Sequence, residues 1–252
     1  MNFTLGQWII IGLLGLANPG LGKNIHVRNS DEFRVAIKSV QAGTSITLAP
    51  GTYRGGLSLT NLNGTVEAPI VIAGSDPKNP PRFTGGTEAL HLSDCSHLTL
   101  RNLHISGYPG NGINIDDGGS FKTPTHHITV ENVTIENTGP KGNHDALKLS
   151  GLYDFKITHC TFRGWAGSAI DMVGCHRGVI EKCTLTGDKK FTQSSGIQIK
   201  GGTTNIIVRK CFFDRAGQRA INLGGSTGLA YFRPNVPDYE AKDITIAGNR
   251  FI

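Results

Sequence analysis

The sequence predicts an all-β fold in which the chain winds into a parallel β-solenoid, and three observations predict it. Composition is the first: 34 glycines in 252 residues, with only two Met and two Trp, suit short strands and tight turns rather than long helices. The second is a repeat, six segments that align as LTLRNLHI (98–105), ITVENVTI (128–135), FKITHCTF (155–162), GVIEKCTL (178–185), IIVRKCFF (206–213) and ITIAGNRF (244–251). The third is another strand motif recurring between them: ALHLSD (89–94), GINIDD (112–117), ALKLSG (146–151), AIDMVG (169–174), GIQIKG (196–201) and AINLGG (220–225). Recurrence at a spacing on the order of 20–50 residues marks an array whose units bury their apolar faces against one another.

From the N-terminus onward, each element has a local reason. The apolar run from Trp8 to Ala17 is too short to span a bilayer and is followed by small residues, as in an export signal. Residues 1–22 are therefore expected to be a signal peptide, and 23–252 a single domain. The domain would be secreted, periplasmic or on the cell surface, without stable membrane insertion after cleavage. The stretch NSDEFRVAIKSV (29–40) predicts a short amphipathic helix. Ser30 is the expected cap, Asp31 and Glu32 suit the first turn, and Phe33, Ile37 and Val40 share a face. Such a helix covers the open end of a solenoid, where strand edges would otherwise be bare. The chain stops at Ile252 within a coil, which reads as a truncated end.

Alternation assigns the faces, because side chains along a strand point to opposite sides in turn. In the second motif Leu90/Leu92, Ile113/Ile115, Leu147/Leu149, Ile170/Met172, Ile197/Ile199 and Ile221/Leu223 point inward. In the first motif one inward column reads Leu103, Val133, Cys160, Cys183, Cys211, Asn249. Three of the five cysteines thus belong to one interior stack and behave as small apolar groups. A metal site is the sharper reading of them, but no Cys-x-x-Cys pair supports it.

The run SDEFRVAIKSVQAGTSITLAPGTYRG (30–55), followed by GTVEAPIVIAGSD (64–76) and the coils, resembles right-handed parallel β-helix proteins of the polysaccharide-lyase type. The N-terminal likeness is to the alginate lyase and chondroitinase B family. The resemblance implies a right-handed coil and, in that family, a Lys base, an Arg acid and calcium held by an Asn and two Glu. No Glu-x-Glu stands before a Lys in the outward columns of this chain, so none of those roles is carried over to a residue here.

The outward columns hold the candidate site. Stacked coils lie about 4.8 Å apart, so one outward position per coil becomes a ladder. The central ladder reads His91, Asn114, Lys148, Asp171, Gln198, Asn222, and every member is polar. Two residues before it runs a strip of small residues, Ala89, Gly112, Ala146, Ala169, Gly196 and Ala220, expected to leave a shallow groove. Loops 118–127, 139–145, 187–195 and 225–241 would wall it, with Lys189, Lys190, Tyr231, Phe232, Arg233 and Tyr239.

The net charge of +6 favours an anionic partner. Lys and Arg are scattered rather than clustered, which makes nucleic acid the weakest anionic partner and leaves an acidic membrane surface or an acidic polysaccharide. The leading expectation is a lyase that cleaves a uronate polymer by β-elimination; hydrolysis, C5-epimerisation and non-catalytic binding are the alternatives. The candidate catalytic residues are Lys148, Asp171, His144, Asp145, Lys200 and Arg219. Lys148 could neutralise a carboxylate or abstract a proton, with His144 or Lys200 as the rival base. Asn114, Gln198, Asn222, His176, Tyr231 and Arg233 are the candidate substrate contacts. Asp116 and Asp117 are the candidate oxygen ligands for Ca2+. A plain structural ion pair between Lys148 and Asp171 is the competing reading.

Overall fold

A computed structural model describes residues 22–225, 227–234 and 238–252. The expected signal segment therefore lies outside the described residues. Each complete coil places one strand in each of three parallel sheets, of seven, nine and eight strands among the described residues. The seven-stranded sheet runs through Leu57–Thr60, Leu90–Ser93, Ile113–Asp116, Leu147–Ser150, Ser168–Val173, Ser195–Lys200 and Arg219–Leu223. From each of these the chain turns into the nine-stranded sheet and then the eight-stranded one, and from all but the last it returns one coil further on.

The inward columns form the core as alternation requires. Leu90, Leu92, Ile113, Ile115, Leu147, Leu149, Ile170, Met172, Ile197 and Ile199 have no exposed surface. Fully burying one such side chain stabilises the fold by about 1.5–3 kcal/mol. The column breaks in the last coil, where Leu223 is half exposed because Arg219–Leu223 is the edge of its sheet. All five cysteines are buried free thiols, and Cys160, Cys183 and Cys211 stack as expected.

The N-terminal helix spans Ser30–Ile37 and buries Phe33 and Ala36. Phe33 packs edge-on against Tyr53 and Phe83, closing that end of the coil. The cap is Asn29 rather than Ser30: its Oδ1 accepts from the amides of Asp31 and Glu32. The Ser30 hydroxyl instead accepts from the Arg54 amide, which ties the helix to the first coil.

One irregularity shapes the outer surface. In the nine-stranded sheet a left-handed residue occupies the same position of successive coils: His97, His127, Asp154, Arg177, Asn205 and Asp243, with φ between 47° and 57°. Like a bulge, this re-aims one side chain. Two adjacent residues then face outward where strict alternation allows one.

Candidate functional site

The polar ladder forms in the expected register. Asn114 pairs with His91 and Lys148, Lys148 with Asp171, Asp171 with Gln198, and Gln198 with Asn222. Its ends are held by side-chain hydrogen bonds. Asn222 Nδ2 donates to Gln198 Oε1 at 2.8 Å, and the Gln198 amide donates to the Gly224 carbonyl.

At the centre sit two carboxylates and two ammonium groups. Lys148 Nζ is ion-paired with Asp171 Oδ2 and lies 3.4 Å from Asp145 Oδ2. Lys200 Nζ approaches Asp171 Oδ1 to 3.1 Å, at an angle that leaves this oxygen without a hydrogen bond. Asp145 Oδ1 accepts from the Ser168 amide at 2.7 Å. The carboxylates of Asp145 and Asp171 are 1% exposed, while Lys148 and Lys200 keep 24% and 21% of their side-chain surface. The anions therefore lie beneath the cations, and what the surface presents is positive.

The environment sets the charges. Burial works against the Lys148 ammonium, but Asp171 and Asp145 outweigh it and raise its pKa. Asp145 is pushed up to about 6 by burial and by the neighbouring Asp171 charge, against the pull of Lys148. Lys148 is thus held as a cation, the form that neutralises a carboxylate rather than the form that takes a proton.

A cleft of about 320 Å³ opens over this cluster, lined by Lys148, Lys200, Ser150, Asn143, Thr227 and Tyr231. A second, of about 380 Å³, continues along the ladder past Gln198, Asn222 and Arg219 and shares Lys200 with the first. The strip of small residues is not its floor, because Ala89, Ala146 and Ala169 are fully buried. That strip turns into the corner toward the eight-stranded sheet, where a side chain at Gly112 would strike Ile135. The groove lies on the other flank of the ladder, over Ser150, Val173 and Lys200.

The loop that roofs this flank is fastened from below. Arg233 donates to Asp117 from Nε at 2.5 Å and from Nη2 at 3.2 Å, and its guanidinium lies over the Phe121 ring. The Arg233 carbonyl oxygen is 2.8 Å from His176 Nε2. Gly151 and Gly174 make room: a Cβ on the first would meet Asp117 Oδ2 at 2.2 Å, and on the second Arg233 Cβ at 2.3 Å. Glu240 accepts from the amides of Gly201 and Thr227. Those bonds overcome the effect of burial and lower its pKa.

Several expected roles change accordingly. Arg233 is engaged in a buried ion pair and His176 is buried beneath the loop, so neither lines the cleft over Lys148. Phe232 is also buried. Asp116 and Asp117 do not share a site, since Asp116 bonds His91 and Ser93 while Asp117 faces Arg233. The paired calcium ligands expected of them are therefore absent from the geometry. His144 is exposed, with its ring packed on the turn at Gly139 and Gly142, and it is not among the residues lining the cleft over Lys148. Lys148, Lys200 and Tyr231 come together, and Arg219, Gln198 and Asn222 adjoin them. Asn143, Thr227 and Glu240 escaped the sequence reading because no periodic pattern extends into their loops.

No curated protein sequence matches the chain. Among solved structures it is similar to an alginate lyase from Paenibacillus sp. str. FPU-7, with 20% identity and a TM-score of 0.67 over 90% of this chain and 75% of that one. Pectate lyase Pel9A shares 14% identity with a TM-score of 0.51, over 91% of this chain and 78% of the other. The periplasmic alginate epimerase AlgG shares 9% identity with a TM-score of 0.51, over 84% and 61%. Residues 88–235 match the family model described as the right handed beta helix region. This span is more than half of the chain and contains the whole charged cluster, so the chain belongs to the right-handed β-helix family.

Proposed function

We propose that this protein is a polysaccharide lyase that cleaves a uronate-containing polymer by β-elimination. One observation carries the reading: the ammonium groups of Lys148 and Lys200 face a single cleft beside Tyr231, on a polar ladder long enough for several sugar residues. Three of the solved structures that share the fold are named for alginate or pectate, both polyuronates, and such polymers fit a cationic groove.

The chemistry follows from the groups that line the cleft. Lys148, held as a cation by Asp171 and Asp145, neutralises the substrate carboxylate and so stabilises charge that develops when the C5 proton leaves. Lys200 has one carboxylate contact against two for Lys148. With fewer direct carboxylate contacts than Lys148, it is the residue assigned to accept that proton. The electron pair forms the C4–C5 double bond as the C4–O bond breaks, and Tyr231 is the donor placed to protonate the leaving oxygen. Arg219, Gln198 and Asn222 bind the chain further along. Hydrolysis by Asp145 and Asp171 fits less well, because both lie beneath the lysines rather than against the cleft.

Incubation with a panel of polyuronates tests this, reading ultraviolet absorbance of the unsaturated product. Release of new reducing ends without absorbance would select hydrolysis. Altered C5 stereochemistry by NMR without cleavage would select epimerisation, and binding without any product would select a carbohydrate-binding solenoid.

A further inference from the structure

Three histidines outside the lysine cleft form a second cluster. His97 lies near the start of the strand Ser96–Arg101, and His126 and His127 near the start of Thr125–Glu131, its neighbour in the nine-stranded sheet. One ring nitrogen from each can be chosen so that all three lie within 4.8 Å of one another. The His97 ring stacks on His127 with centroids 4.3 Å apart and stands edge-on to His126 at 5.2 Å. The left-handed backbone at His97 and His127 makes this possible, because it turns each of them out beside its preceding residue.

We infer that His97, His126 and His127 bind a divalent transition-metal ion through three imidazole nitrogens. Imidazole suits zinc, copper and nickel, and three protein nitrogens with one position left for a small ligand is a common zinc arrangement. His126 Nδ1 lies 2.8 Å from His127 Nδ1. Two ring nitrogens cannot face each other at that distance with bare lone pairs, so a proton or a cation must sit between them. A tetrahedral ion at about 2.0–2.1 Å from each nitrogen holds its donors roughly 3.3 Å apart, so His126 and His127 need to open by only a few tenths of an ångström, while His97 must rotate out of its stack on His127, because parallel rings cannot aim their in-plane lone pairs at one ion.

Burial, and then the neighbouring imidazoles, lower the pKa of His97 and His126. Of the carboxylates nearby, Asp154 is engaged by Arg177 through two hydrogen bonds of 2.6 Å, and the exposed Glu67 acts on His97. His126 also lines a cleft of about 440 Å³ with Asp94, Ser96, Lys122 and Thr123. Water or a small anion can therefore reach an ion held by the three rings.

The test uses untagged, chelator-treated protein, titrated calorimetrically with zinc chloride. Binding of one zinc per chain is expected, and Cu2+ loaded in its place should give an electron paramagnetic resonance spectrum with nitrogen couplings. His127→Asn keeps a residue tolerant of the left-handed backbone. It should weaken zinc binding by more than the roughly 10–100-fold contributed by outer-shell partners of metal sites. His159→Asn, a matching change at a left-handed position outside the cluster, should leave zinc binding unchanged. Absence of stoichiometric zinc and copper binding by the wild-type protein would overturn the assignment whatever the variants do. So would wild-type affinity in His127→Asn, or a copper spectrum without nitrogen couplings.

Discussion

Arg233 grips the buried carboxylate of Asp117 through two nitrogens, across 116 residues of sequence. The pair fixes the roof of the lysine cleft to a coil laid down long before it. Removing either partner leaves the other charge buried and unpaired, which costs about 3–5 kcal/mol. Urea denaturation of Asp117→Ala and Arg233→Ala should show losses of that size. The double variant should lose less than the sum of the two.

Lys148→Met and Lys200→Met separate charge neutralisation from proton abstraction. Each should lower kcat on the substrate polymer by about 10²–10⁴, with the fold retained by circular dichroism. Tyr231→Phe keeps the exposed ring and removes only the hydroxyl. Its loss should therefore fall on kcat rather than on KM. Full turnover in both lysine variants would remove the site from this face.

Polymer binding should depend on pH through Asp145. With both carboxylates ionised, the four-group cluster is neutral; below about 6, Asp145 takes up a proton and the cluster becomes positive. Uronate carboxylates stay ionised down to about 3.5, near the value for a simple α-carboxyl group. Affinity measured at low salt should therefore rise as pH falls from 7 to 5. Asp145→Asn should bind tightly throughout and lose that dependence.

Stability should respond to acid through Glu181. Ion pairs with Lys156 and Arg209, at 2.7 Å each, hold its pKa down to about 2. The folded value lies below the unfolded one, so this stabilisation is fully present above about 4.5 and is lost as pH falls toward 2. Thermal melts across that range should show a steeper acid loss in the wild type than in Glu181→Gln.

The cysteines should be silent in the native state. Burial raises Cys95 to about 11 and Cys175 to about 12, and Cys160, Cys183 and Cys211 are closed in the core. A thiol reagent should label none of the five until denaturant unfolds the chain. Rapid labelling of folded protein would contradict the interior stack.

What the residues alone determined is whatever repeats with period two. Leu147 and Leu149 had to face inward once the coils were aligned, so Lys148 had to stand outward between Asn114 and Asp171. The helix that closes the N-terminal end was equally legible from its charges and apolar face, although the neighbouring Asn29 took the capping role. Tertiary structure decided what lies where that period fails. The left-handed residues at His97 and His127 turn adjacent side chains to one side, which alternation forbids. The small strip bends into a corner, so the groove opens on the opposite flank. The pairing of Arg233 with Asp117, the burial of His176, and the place of Tyr231 above Lys148 and Lys200 depend on a loop returning across coils. Local patterning does not encode such a contact, because its energy comes from groups brought together only after the coils have stacked.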